Sequence, residues 1–138
     1  MSHPDGLPDL FVDRSLGRKR VPELLRASGL RLVTLAEHYG MPADESVADT
    51  EWLELAGTRG WAVFMKDGRI RGRASERVVV ETFAVRCFCI SRQDLTAEQM
   101  AARYLAHLDA IVAACADAGP FIYAVHENRI EKLPGIAA

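Results

Sequence analysis

The chain has 138 residues, 49% apolar, 26% charged and 7% aromatic, with 17 Lys plus Arg against 19 Asp plus Glu and a formal charge of −2. This predicts one domain with a real hydrophobic core and sets aside a two-domain enzyme, a disordered chain, a collagen-like repeat and a disulfide scaffold. Bulk positive charge is excluded as a source of affinity for polyanions, which leaves a local basic patch to be sought. No apolar run approaches the ~20 residues that cross a bilayer, and Met1 to Asp9 lacks an apolar signal core, so a cytoplasmic protein without membrane contact is expected.

Residues 1–9 hold two Pro, a Gly and two Asp, and are expected as a flexible leader before a single domain over 10–138. Leu10, Phe11 and Val12 form a short apolar run ending in Asp13, the pattern of a buried strand that delivers a carboxylate at its carboxyl end. A helix follows from about Arg18 or Lys19 to Ser28, with Val21, Leu24 and Leu25 on one face, Pro22 in its first turn and Gly29 to end it. Leu30 to Ala36 alternates like a second strand, and Tyr39 to Val47 reads as a turn-rich loop. Asp49 or Thr50 is expected to cap a helix through Ala56, stopped by Gly57 or Gly60. Trp61 to Met65 then repeats the first pattern, an apolar strand followed by Lys66 and Asp67.

Ala74 to Phe83 reads as a helix, although Val78, Val79 and Val80 would also suit a strand. Ala84 to Ile90 is the next strand. Thr96 and Gln99 form a capping box for the longest helix, whose stripe Met100, Tyr104, Leu108, Ile111, Val112 and Cys115 ends near Gly119. Phe121 to His126 and Arg129 to Leu133, joined through Glu127 and Asn128, read as a closing hairpin. Strands alternating with helices imply right-handed crossovers and a three-layer α/β/α sandwich around a mainly parallel sheet. Cys87, Cys89 and Cys115 show no zinc spacing and are read as reduced.

Ligands of open α/β sheets bind beyond the carboxyl ends of the strands, where strand order reverses. Asp13 and Asp67 belong there, and Asp49 joins them if the preceding loop crosses the top of the sheet. Carboxylates gathered in one cleft repel each other unless a cation is present, and Mg²⁺ or Mn²⁺ would suit an all-oxygen set. Lys66, Arg69, Arg71, Arg73 and Arg77 lie around the third acid, and Arg14, Arg18, Lys19 and Arg20 follow the first. Basic side chains flanking an acidic centre suit a phosphodiester, with Arg14, Lys66 and Arg69 as candidate phosphate contacts.

The segments Leu10-Phe11-Val12-Asp13-Arg14-Ser15-Leu16-Gly17, Asp49-Thr50-Glu51-Trp52-Leu53 and Val63-Phe64-Met65-Lys66-Asp67-Gly68-Arg69-Ile70 resemble the motifs of small PIN-like domains, in particular the VapC-type toxin branch. The likeness covers roughly residues 9–90, and the rest follows by element order. It implies a Mg²⁺- or Mn²⁺-dependent ribonuclease, the toxin of a toxin–antitoxin pair, with RNA as substrate, a cognate antitoxin as partner and, often in such proteins, a homodimer. Asp13, Asp49 and Asp67 correspond to the family's acids, Met65 stands where a Thr or Ser is common, and Glu37 or Glu51 would be the additional acid that larger PIN domains place on an early helix.

Each residue also has a plainer reading. Asp13 could close the first strand and cap the next turn, Asp49 could be an N-cap, Asp67 could open an Asp-Gly turn, and the arginines could form a solvated face. His38, His107 and His126 have no metal-ligand spacing, and Lys66-Asp67-Gly68-Arg69 is no phosphate-binding glycine loop. A PIN-like binding module without catalysis is the alternative, and a phospho-accepting receiver domain is a weaker third.

Overall fold

The computed structural model describes residues 2–66 and 68–137. Six strands form one sheet in the order β2-β1-β3-β4-β5-β6: β1 is Leu10–Val12, β2 Leu32–Thr34, β3 Ala62–Met65, β4 Arg86–Cys89, β5 Phe121–Val125 and β6 Ile130–Lys132. The first five run parallel, and β6 returns antiparallel beside β5 as the expected hairpin. Helices α1 (Arg20–Ala27), α2 (Leu35–Tyr39), α3 (Asp49–Arg59), α4 (Ala74–Thr82), α5 (Ala97–Ala106) and α6 (Leu108–Ala114) cover both faces. This is the three-layer α/β/α sandwich expected from the alternation of elements.

Because side chains alternate across a strand, each strand feeds two cores. Leu10, Val12, Phe64 and Phe88 meet Val21 and Leu25 of α1, Met100 and Tyr104 of α5 and Ile111 of α6. Phe11, Val63, Met65, Cys87 and Cys89 meet Leu35 of α2, Trp52, Leu53 and Ala56 of α3 and Val80 of α4. The Tyr104 hydroxyl donates towards Met65 O at 2.7 Å and Phe88 O at 3.0 Å, and accepts from Met65 N at 3.2 Å. It thereby ties the carboxyl ends of β3 and β4 together, the edge where the acids gather. Cys87, Cys89 and Cys115 are buried, the Cys89 thiol donates to Tyr123 O at 3.4 Å, and burial pushes the Cys87 thiol well up.

Three local expectations are corrected. The second strand stops at Thr34, whose hydroxyl accepts from Glu37 N at 3.0 Å while the Glu37 carboxylate accepts from Thr34 N at 2.9 Å; that capping box starts α2 where a strand was expected to continue. Helix α3 runs past the expected Ala56 to Arg59 and ends at Gly60, the second of the two glycines expected to stop it, which takes the left-handed conformation. A Cβ at Gly57 would lie 2.5 Å from Phe83 O, so glycine there permits the close approach of α3 to the end of α4. The longest expected helix is two, α5 and α6, broken at His107, whose Nε2 bonds Glu127 O at 2.9 Å.

Residues within the expected leader make contacts with the rest of the chain. Leu7 is buried in the core, and His3 is buried with Nε2 against Leu7 O and Nδ1 accepting from Arg31 N at 2.9 Å. Hydrophobic burial and paired backbone groups pin residues 3–8 to the amino-terminal edge of the sheet. Among the described residues, no helix is long and apolar enough to cross a membrane.

Candidate active site

Strand order reverses between β1 and β3, since β1 connects outward to β2 while β3 lies on its other side. That is the switch point at which α/β sheets open a crevice. Asp13 stands at its lip, with its N–H donating to Phe64 O of β3 at 3.3 Å. Its carboxylate accepts from the Ser15 N–H at 3.2 Å and from the Ser15 hydroxyl, capping the short 3-10 turn Arg14–Leu16. The plain capping role is therefore real, but it does not account for the burial. Asp13 is 7% exposed, and desolvation, reinforced by the negative charge of Asp49, raises its pKa to about 6 against the hydrogen bonds from Ser15 and the charge of Arg14.

Ser15 also accepts from Lys66 N at 2.9 Å, so one hydroxyl joins the exits of β1 and β3. Ser15 thereby holds the first acid in place.

Asp49 reaches the crevice because the loop before it is clamped. Arg14 Nη1 donates to Asp44 O at 3.2 Å and Val47 O at 3.1 Å, and Arg18 grips the buried Asp44 carboxylate with two bonds of 2.9 Å. Helix α3 then starts with Ala48 as N-cap, so Asp49 is its first residue rather than its cap. The Asp49 carboxylate accepts from Trp52 Nε1 at 2.9 Å and lies 3.6 Å from Arg14 and 3.7 Å from Arg73. Its place in the first turn sets it at the positive end of the helix dipole. Arg14, expected as a phosphate contact, is chiefly engaged in building the site.

A further acid appears that the sequence reading did not single out. Glu76, in the first turn of α4, is 7% exposed and lies 3.3 Å from Arg73. Burial raises its pKa, and so does the neighbouring Asp49 carboxylate, against the lowering effect of Arg73. The usable sequence signal was an acid one turn into the helix after the second acid-ending strand.

The two early-helix acids go elsewhere. Glu37 is occupied by Thr34 and by Arg26, at 2.7 Å and 2.9 Å, and its pKa is lowered by the Arg26 bonds. Glu51 is exposed, and its charge acts on Tyr39, whose pKa is raised by burial and by Glu51. Asp67 and the Arg69 side chain lie outside the described residues, and Lys66 is half-buried at the exit of β3.

Asp13, Arg14, Ser15, Asp49, Met65, Ile70 and Arg73 enclose a cavity of about 160 Å³. Among the described residues, no three metal-ligating side chains converge on one point. The donors that are described nonetheless suit a hard cation. They are all carboxylate oxygens, and burial and mutual charge raise the pKa of Asp13 and of Glu76, so the cluster carries repulsion that a divalent ion would relieve.

A family model described as a PIN-like domain matches residues 8–92. The chain is 48% identical, over 127 residues and 92% of each chain, to a Mycobacterium tuberculosis protein that carries the provisional name ribonuclease VapC45. No solved structure matches the chain.

Proposed function

The chain belongs to the PIN-like domain family, and from that premise we propose that it is a metal-dependent endoribonuclease, the toxin of a toxin–antitoxin pair, acting in the cytoplasm and restrained by a cognate antitoxin. The observation that carries this reading is the buried Asp13 facing Asp49 at the β1–β3 switch point. The name of the mycobacterial relative supports RNA as the substrate.

Asp13, Asp49 and Asp67 are the residues that would hold Mg²⁺ or Mn²⁺, with Glu76 behind Asp49. Such an ion, when bound, lowers the pKa of a coordinated water and neutralises charge on the phosphodiester. The chain's own residues prepare the place. Ser15 fixes the Asp13 carboxylate, the Arg14 and Arg18 clamps hold the loop that presents Asp49, and Arg73, 3.7 Å from Asp49 and 3.3 Å from Glu76, limits their repulsion. Lys66 and Arg69 remain proposed phosphate contacts around an in-line attack by water.

The test is incubation of total RNA with wild type, Asp13→Asn and Asp67→Asn in Mn²⁺, Mg²⁺ or EDTA. Cutting by wild type alone, and only with a divalent ion, is expected. Cutting that persists in EDTA or in both folded variants would remove the assignment.

A further inference from the structure

We propose that the open cleft beside the carboxylates is the groove for a single RNA strand, with Arg71 and Arg77 holding phosphates next to the scissile one. The inference rests on the ribonuclease reading and deepens it. The carboxylate cavity, at about 160 Å³, is smaller than the ~300–1,000 Å³ of sites that enclose a whole small molecule. It admits a reacting group and leaves the rest of the substrate outside. The space outside is a cleft of about 1220 Å³ over the carboxyl ends of β4 and β5. Arg73 lines both spaces, so a chain with one phosphate at Asp13 and Asp49 continues past Arg73 into the cleft.

The cleft is chemically prepared for phosphates. Arg71 donates to Pro134 O at 3.1 Å and Arg77 to Arg71 O at 3.3 Å; among the described residues neither lies in an ion pair with a carboxylate. A guanidinium has five N–H donors, so both retain donors for phosphate oxygens. Gln93 and His126 stand among the lining as further polar groups. Among the described residues no Phe, Tyr or Trp lines it, so base stacking contributes little beyond the His126 ring and backbone contacts carry most of the affinity. A single strand, unlike a stiff duplex, can bend from the carboxylate cavity past Arg73 into the cleft.

The experiment measures binding without hydrolysis: fluorescence anisotropy of a labelled single strand of about ten nucleotides in EDTA, across a salt series, with cleavage of total RNA in Mn²⁺ followed in parallel. Arg71→Ala and Arg77→Ala are each expected to weaken binding about fivefold at about 0.1 M salt and to lower the slope of log affinity against log salt by about 0.7. Arg77→Lys should recover most of the loss. Arg31→Ala removes an exposed arginine at the opposite end of the sheet, where Arg31 O meets Leu10 N, and should change nothing. Unchanged affinity in both cleft variants, while wild type still binds and cuts, would overturn the groove and leave the ribonuclease reading standing. An equal loss in Arg31→Ala, or a duplex bound as tightly as the single strand, would also overturn it. A wild type that neither binds nor cuts RNA would remove both.

Discussion

Arg18 holds Asp44 through two hydrogen bonds of 2.9 Å, and Asp44 is wholly buried. The pair links the segment that follows the first acid to the loop that delivers the second, so the geometry of the candidate site depends on an interaction outside it.

Asp44→Asn should therefore lower both stability and activity. It removes the charge from two short charge-assisted bonds, worth about 2 kcal/mol together after solvation of the freed Arg18 is allowed for. Urea denaturation measures the first effect and RNA cleavage the second; a variant of wild-type stability would show that the clamp contributes nothing.

The pH dependence follows from Asp13. Its folded pKa of about 6 lies above the ordinary 3.8, so the folded chain holds the proton more tightly than the unfolded one. The stability this confers is complete below about pH 3.8 and is lost as pH rises through about 6, a fall on the order of 3 kcal/mol. In EDTA, wild type should lose that much more stability than Asp13→Asn between pH 4 and pH 8. Parallel curves for the two proteins would contradict the assignment.

Glu76→Gln should reduce cleavage by about 10- to 100-fold, the range for a group that supports a metal-binding residue, with the thermal midpoint kept or raised because a buried carboxyl loses its charge. Glu37→Gln and Glu51→Gln should cleave like wild type, since both side chains are engaged away from the cavity. Activity lost in either of these and kept in Glu76→Gln would reverse the choice of acid.

At an exposed helical position, Gly→Ala stabilises by up to about 1 kcal/mol. At Gly57 the sign should invert, because the new methyl meets Phe83 O at 2.5 Å and Phe83 Cβ at 2.7 Å. Overpacking of that kind costs about 1–3 kcal/mol, read as a lower urea midpoint.

Much of the architecture was legible in local pattern. Apolar runs ending in Asp13 and before Lys66, the capping box of Thr96 and Gln99 and the closing hairpin are each decided within a few residues, so strand and helix types could be read without the fold. The start of α2 was legible too, since Thr34 and Glu37 have capping-box spacing, but strand alternation in the preceding residues obscured it. Helix α5 ends at His107 without a Gly or Pro there; the break accompanies a bond from His107 to Glu127 on the hairpin, a partner 20 residues away.

The sequence by itself determined which strands carry an acid at their carboxyl ends and the alternation that builds a parallel sheet, because backbone propensity and hydrophobic period act over short range. Only the tertiary structure decided which carboxylates meet. Glu76 joins Asp49 while Glu37 and Glu51 turn away, and Arg14 braces the loop that presents Asp49. Burial and charge pairing depend on distances between elements far apart in the chain, and those distances are set by how the two cores pack on the sheet.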